Sequence, residues 1–397
     1  MRCKPHAIAL AAAAALLSNG ASAQDAGLPS FAFSGFGTVG VVQTDTDLAE
    51  YGIAGQPKGA TKSADAGVDS KLGVQGTVTF NPMFSATAQL LSKRNWESKW
   101  TPELEWGFAK AKINETFTVR AGRMGTPYFM VSDFRNVGYA NTWIRPPLEV
   151  YNQVPVPTFD GADLLISHAF GDVSVNAQLF GGQSKAKLPG GVVVKAKNLF
   201  GLAVSAEVGP VTVRASHSQT KLDVDSQRLD GLLAGLRAVG ANGLADEMSV
   251  DGKGATFSGV GASADWNNII ASVEYTWRRT ETYLADTAGW SALGGYRIGT
   301  FTPYVQFASL RQKSKTSVGS PTVSPALNAG ANALYADVGQ DSTALGLRWD
   351  AYKNIAVKAQ YDRVKTHDGG RGQFINPQAG FGSDAVNVFA VAVDFVW

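Results

Sequence analysis

Ile269-Ile270-Ala271-Ser272-Val273-Glu274-Tyr275-Thr276-Trp277 decides how this chain is read. Apolar residues stand at every odd position, and Ser272, Glu274 and Thr276 fall between them. Successive side chains of a β-strand point to opposite faces, so this spacing makes one apolar face and one polar face. The same alternation runs through Asp172-Val173-Ser174-Val175-Asn176-Ala177-Gln178-Leu179-Phe180 and Ile355-Ala356-Val357-Lys358-Ala359-Gln360-Tyr361.

Two kinds of connection separate such segments. Short ones fall at Asn81-Pro82, Asn114-Glu115, Gly171-Asp172, Gly209-Pro210, Asn267-Asn268, Gly299 and Lys353-Asn354, where Gly, Asn, Asp and Pro supply tight-turn dihedrals. Longer, polar, mostly Gly-rich stretches alternate with them at 45–67, 96–101, 124–157, 185–197, 221–252, 282–286, 315–340 and 368–383. Interleaving the two sets predicts an all-β chain of about sixteen antiparallel strands, with tight turns on one side and long loops on the other. An even strand count puts both termini on the same side.

The apolar face carries aromatic residues near segment ends: Trp106, Trp266, Trp277, Trp290, Trp349, Tyr275 and Tyr361. A soluble sandwich would show charge on its outer face. Aromatic residues at strand ends are instead the girdles of a transmembrane barrel. In hydrocarbon every backbone N–H and C=O needs an internal partner, so such a sheet must close. Strand sixteen, roughly 385–397, is therefore expected to pair with strand one, roughly 31–44.

Composition agrees. The chain has 44 Gly, 9 Trp, 11 Tyr and 20 Phe beside 17% charged residues, and its mean hydropathy is −0.05. A barrel interleaves an apolar surface with a polar lumen, so its average looks bland. The N-terminus reads as an export signal. Arg2 and Lys4 precede an apolar run over 8–17, and Ala21-Ser22-Ala23 is a small-residue cleavage site. The expected division is a signal peptide at 1–23 and one barrel domain at 24–397. Removing Arg2 and Lys4 leaves Lys+Arg equal to Asp+Glu, which argues against a nucleic-acid partner. The single cysteine, Cys3, leaves with the signal. His168, His217 and His367 fall on different predicted strands or strand ends, with no metal-ligand spacing and no Ser–His pair. No metal, cofactor or catalysis is expected.

The chain ends Val391-Ala392-Val393-Asp394-Phe395-Val396-Trp397. This resembles the terminal strand recognised by the outer-membrane barrel assembly machinery, with Phe395 and Trp397 as the signal; most such strands end in Phe. Phe33-Ser34-Gly35-Phe36-Gly37-Thr38-Val39-Gly40 resembles the glycine-rich first strand of the trimeric Gram-negative porin family. Val119-Arg120-Ala121-Gly122-Arg123-Met124-Gly125 resembles its fifth strand, where a Gly-Arg pair leads into the third external loop. The resemblance covers nearly all of 24–397 and is mainly architectural; the loop lacks the Pro-Glu-Phe-Gly-Gly run of the best-known members. It implies an outer-membrane location, a homotrimer in contact with lipid and lipopolysaccharide, passage of small polar solutes, and a third loop (124–157) folded into the lumen.

With the face opposite the aromatic stripe taken as lumen, the basic wall residues are Lys71, Lys93, Arg120, Arg214, Arg278, Arg297, Arg348 and Lys358. The acidic ones are Asp163, Glu207, Glu274, Asp350 and Asp362. The basic excess predicts a weak anion preference. In the third loop the charges are Asp133, Arg135, Arg145 and Glu149, and Arg145-Pro146-Pro147 stiffens the backbone. Arg145 and Glu149 are expected to stand opposite Arg120 and Arg123 across a constriction to which Asp133 and Arg135 also belong. Leu229, Leu232, Leu233 and Leu236 predict a short helix at 227–239 that packs against neighbouring loops. The leading function is a passive diffusion channel. The alternatives are a channel selective for small organic anions, a lipid-acting barrel enzyme, and a plugged structural or adhesion barrel.

Overall fold

The computed structural model describes residues 29–318, 323–367, 369–382 and 384–397; the expected signal-peptide boundary after Ala23 lies outside them. The alternating segments become sixteen strands: β1 (Ser30–Thr44), β2 (Lys71–Thr79), β3 (Phe84–Lys93), β4 (Glu103–Lys112), β5 (Phe117–Gly125), β6 (Thr158–Phe170), β7 (Val173–Leu188) and β8 (Val192–Val208), then β9 (Val211–Asp225), β10 (Lys253–Trp266), β11 (Ile269–Thr280), β12 (Thr287–Tyr296), β13 (Phe301–Gln312), β14 (Gln340–Tyr352), β15 (Ile355–Thr366) and β16 (Val386–Val396). Each pairs antiparallel with its sequence neighbours. β1 also pairs with β16, so the sheet is a closed barrel without an edge.

The closing seam explains the glycines of β1. Gly35 and Trp397 exchange two backbone hydrogen bonds of 3.0 and 3.1 Å. The rings of Phe395 and Trp397 stack with centroids 5.9 Å apart and lie across Gly37 and Gly35. A Cβ at Gly35 would stand 2.0 Å from the Trp397 ring, and one at Gly37 2.3 Å from the Phe395 ring. The terminal aromatic pair therefore occupies space that only glycine leaves open.

Outside the barrel, Val39, Leu72, Val74, Leu202, Val273 and Leu345 are exposed side chains that need an apolar surrounding. Phe84, Phe170, Trp266, Tyr296, Phe301 and Trp349 ring the short-turn end. Tyr275, Trp290, Phe307 and Phe389 form a second belt. Six residues separate Ile269 from Tyr275, about 20 Å along a strand, close to the apolar band of a membrane barrel. Trp106 is not in either belt. A bulge leaves Glu105 unpaired between Leu104 and Trp106 and shifts the phase, so Trp106 turns inward.

All seven short connections lie where the turn residues place them. One long connection does not: the hairpin of β7 and β8 continues to residues 188 and 192, so most of 185–197 is strand. Beyond the rim, α2 (Gln227–Ala238), α3 (Asn242–Met248) and α4 (Pro325–Tyr335) gather Leu229, Leu233, Leu236, Met248, Ala331 and Tyr335 into a small apolar cluster of their own. Ser226 caps α2 and Ser324 caps α4 through their side-chain oxygens. The helix at Leu148–Tyr151 is α1 and lies inside the barrel, in contact with β11, β12 and β13.

Candidate functional site

Loop 3, residues 126–157, leaves β5 and returns to β6 through a closed neck in which Thr126 N–H and Oγ1 both donate to Pro157 O at 3.0 Å. Between these ends it makes a circuit of the lumen. Arg214 donates to Pro127 O at 3.1 Å and Ser216 to Tyr128 O at 2.7 Å, both from β9. Met130 N–H donates to Glu274 of β11 at 2.9 Å. The loop then crosses to the β14–β16 wall. Lys358 Nζ donates to the carbonyls of Gly138, Asn141 and Trp143 at 2.7–2.9 Å and ion-pairs with Asp394 at 2.8 Å. Arg348 donates to Tyr139 O and Asn141 O at 2.7 and 2.9 Å. Hydrogen bonds from a charged donor are worth about 1.5–3 kcal/mol each, so this crossing is firmly held.

Gly138 makes the crossing possible. Its Cα sits against Asp394 and Thr38, which are joined by a 2.5 Å hydrogen bond, and a Cβ there would meet Asp394 Oδ1 at 2.0 Å. Farther on, Arg145 forks onto Asp69 and reaches Asp362 at 3.3 Å. Glu149 accepts from Gln340 at 2.7 Å. Gln153 joins Thr276 and Thr287, and Arg278 donates to Gln153 O at 2.5 Å. Tyr151 OH donates to Glu274 at 2.8 Å, with its ring stacked on Phe129 at 4.4 Å.

This geometry corrects several expectations. Arg145 and Glu149 do not face open water: each is 2% exposed and docked on the wall. Burial pushes the Glu149 carboxyl above the usual carboxylate range. Arg120 points inward but is bound by Asp163 through two hydrogen bonds of 3.0 and 2.5 Å. Arg123 is three residues from Arg120, an odd step that turns it to the outer face, where it pairs with Asp160 at 2.7 Å. The expected opposition of Arg145 and Glu149 to Arg120 and Arg123 is therefore absent. Most wall charges hold loop 3 or a neighbouring carboxylate. Arg297 sits at the short-turn mouth, paired with Asp265 at 2.6 Å, and Arg348 also binds Asp350 at 2.9 Å.

Among the described residues, cavities of two sizes that bear on the lumen border the loop. The larger, about 430 Å³, is lined by Asp133, Glu207, Arg214 and Glu274 among mostly small and polar residues. The smaller, about 130 Å³, lies between loop 3 and residues 53–70 and is lined by Lys71, Lys93, Arg94, Arg135 and Arg145, with Asp69 as its one carboxylate. Tyr151 lines both. Burial lowers the pKa of Arg135, and Glu105, 3.9 Å away, offsets this in part.

Sequence reasoning missed Asp69, Arg94, Tyr151, Gln153, Thr38 and Asp394. Asp394, the one acid in the terminal strand, was a readable signal. The others carried none, since their partners lie far off in sequence. Among the described residues no group of three His, Cys, Asp or Glu is placed to hold a metal ion.

A model of the Gram-negative porin family matches residues 9–256. No curated protein sequence matches the chain. Among solved structures, the Salmonella typhi OmpF complex with daunomycin is similar at 14% identity and a TM-score of 0.58, over 92% of this chain and 97% of that one. The anion-selective porin from Comamonas acidovorans is similar at 12% identity and a TM-score of 0.54, over 93% of this chain and all of that one. OmpT of Vibrio cholerae in its trimer form is similar at 14% identity and a TM-score of 0.52, over 93% and 100%. At such identities the structural likenesses show the fold.

Proposed function

The chain belongs to the Gram-negative porin family, and from that premise we propose that it conducts small anions in preference to cations through a lumen narrowed by loop 3. A porin is a passive diffusion channel of the outer membrane, with no catalytic step. Selectivity is set where the passage is narrowest, because charges act most strongly on an ion they nearly touch. The observation that carries the anion reading is the smaller cavity. It has five basic side chains and one carboxylate, and that carboxylate is committed to Arg145. The larger cavity sets Arg214 beside Asp133, Glu207 and Glu274, and Glu274 already accepts from Met130 N–H and the Tyr151 hydroxyl.

The assembly proposed is a homotrimer. The outward Arg123–Asp160 pair supports it, because the surrounding wall is small and apolar: Gly107, Ala109, Ala121 and Ala162. A neighbouring subunit would cover a charge pair that lipid tails leave unsolvated. The test is single-channel recording in a planar bilayer under a KCl gradient. Steps closing in threes with an anion-preferring reversal potential are expected. A cation-preferring potential overturns the selectivity, and folded protein without conductance returns the chain to the plugged, structural reading.

A further inference from the structure

Lys71 and Lys93 are direct cross-strand partners in the β2–β3 ladder, both turned inward. Like charges so placed, with Cβ atoms about 5 Å apart, are destabilising unless something lies between them. Neither ammonium makes a hydrogen bond or ion pair among the described residues; Asp69 and Asp394 act on Lys71 only from a distance. Asp69 is spent on Arg145. A second observation comes from the residue after Lys93. Arg94 is 4% exposed and lines the same cavity. Its Nη1 holds Asp65 at 2.7 Å, while Nε and Nη2 have no partner. A buried guanidinium half-satisfied beside two unpaired lysines is a costly arrangement without a ligand.

We infer that Lys71, Lys93, Arg94 and Arg135 form a discrete binding site for one compact dianion of the inorganic phosphate class. This rests on the anion-conducting reading above and adds to it a resident, saturable step. Two lysines match two negative charges. A volume of about 130 Å³ suits a tetrahedral oxyanion better than an extended dicarboxylate. Residues 53–70 and loop 3 wall the cavity on either side, which limits screening by solvent.

The experiment titrates inorganic phosphate at pH 8 into the full protein conducting chloride in a planar bilayer, with succinate as the comparison. Phosphate is expected to reduce the chloride current along a saturating curve. The double variant Lys71→Gln, Lys93→Gln should weaken that block at least tenfold, and Lys93→Gln alone, the milder change, should weaken it in part. A linear, unsaturable response overturns the site, and an anion-preferring reversal potential in KCl alone would then leave the parent reading standing. A cation-preferring potential removes that reading itself. Block that survives the double variant overturns the residue assignment. Block by succinate at lower concentration than phosphate overturns the compact class.

Discussion

Arg145 lies against Asp69 as a two-pronged fork, Nε to Oδ1 at 2.9 Å and Nη2 to Oδ2 at 2.5 Å, with both side chains almost wholly buried. Asp362 closes the set at 3.3 Å, and the guanidinium stands 5.2 Å from the centre of the Tyr51 ring. Planar guanidinium and planar carboxylate match in a way an ammonium does not. The fork fastens loop 3 to the segment before β2 and to β15 at once.

Arg145→Ala would leave Asp69 and Asp362 buried without their counter-charge. Breaking a buried pair from one side costs about 3–5 kcal/mol. The expected result is a detached loop 3, seen as a larger single-channel conductance and a lower unfolding temperature. Arg145→Lys should fall between the variant and the parent. Unchanged conductance in Arg145→Ala would show that the loop is held elsewhere.

Gly138→Ala tests the crossing to the far wall. The added methyl would sit 2.0 Å from Asp394 Oδ1, so the loop must lift off Lys358. A loss of about 1–3 kcal/mol, the usual range for overpacking, is expected in thermal unfolding. A variant as stable as the parent would mean that the carbonyl cluster tolerates displacement.

Tyr151 lines both cavities, held by Glu274 and by Phe129. Tyr151→Ala should widen the passage and raise conductance. Tyr151→Phe keeps the ring and removes the hydrogen bond, so mean conductance should change little while current flicker increases. If Tyr151→Ala conducts like the parent, the ion path runs elsewhere.

The helical cluster beyond the rim is expected to carry its own pH dependence. Glu247 joins Lys315 to the Tyr335 hydroxyl, and the lysine holds its carboxyl below the usual range. A depressed carboxylate contributes stability above its unfolded pKa of about 4.3, and that contribution is lost as pH falls through the folded value. Amide exchange in α2–α4, corrected for intrinsic rate, should therefore accelerate as pH drops below about 4. Glu247→Gln should show the faster exchange at neutral pH and no acid step. A pH-independent parent would remove Glu247 as the tie.

Strand number, antiparallel order, closure and the side of each loop were all legible in the chain. Period-two spacing assigns each strand residue to a face, and turn residues mark where direction reverses. The structure turns Trp106 inward at the bulge beside Glu105 and Arg123 outward by an odd step from Arg120, and further register shifts interrupt the alternation between Gly182 and Ser184 and between Lys197 and Phe200. The terminal aromatic pair and the glycines of β1 were both visible, though not that one sits on the other.

What loop 3 does with its charges was decided only in three dimensions. A loop has no period that relates it to a wall. Arg145 finds Asp69 across 76 residues and Asp362 across 217, and Lys358 finds Gly138 across 220. Sequence alone determined that the lumen would be charged and that most of that charge would come from alternating strand positions. Tertiary structure decided which charges hold the loop and which stay free for a passing ion, because burial and pairing depend on where distant segments meet once the barrel has closed.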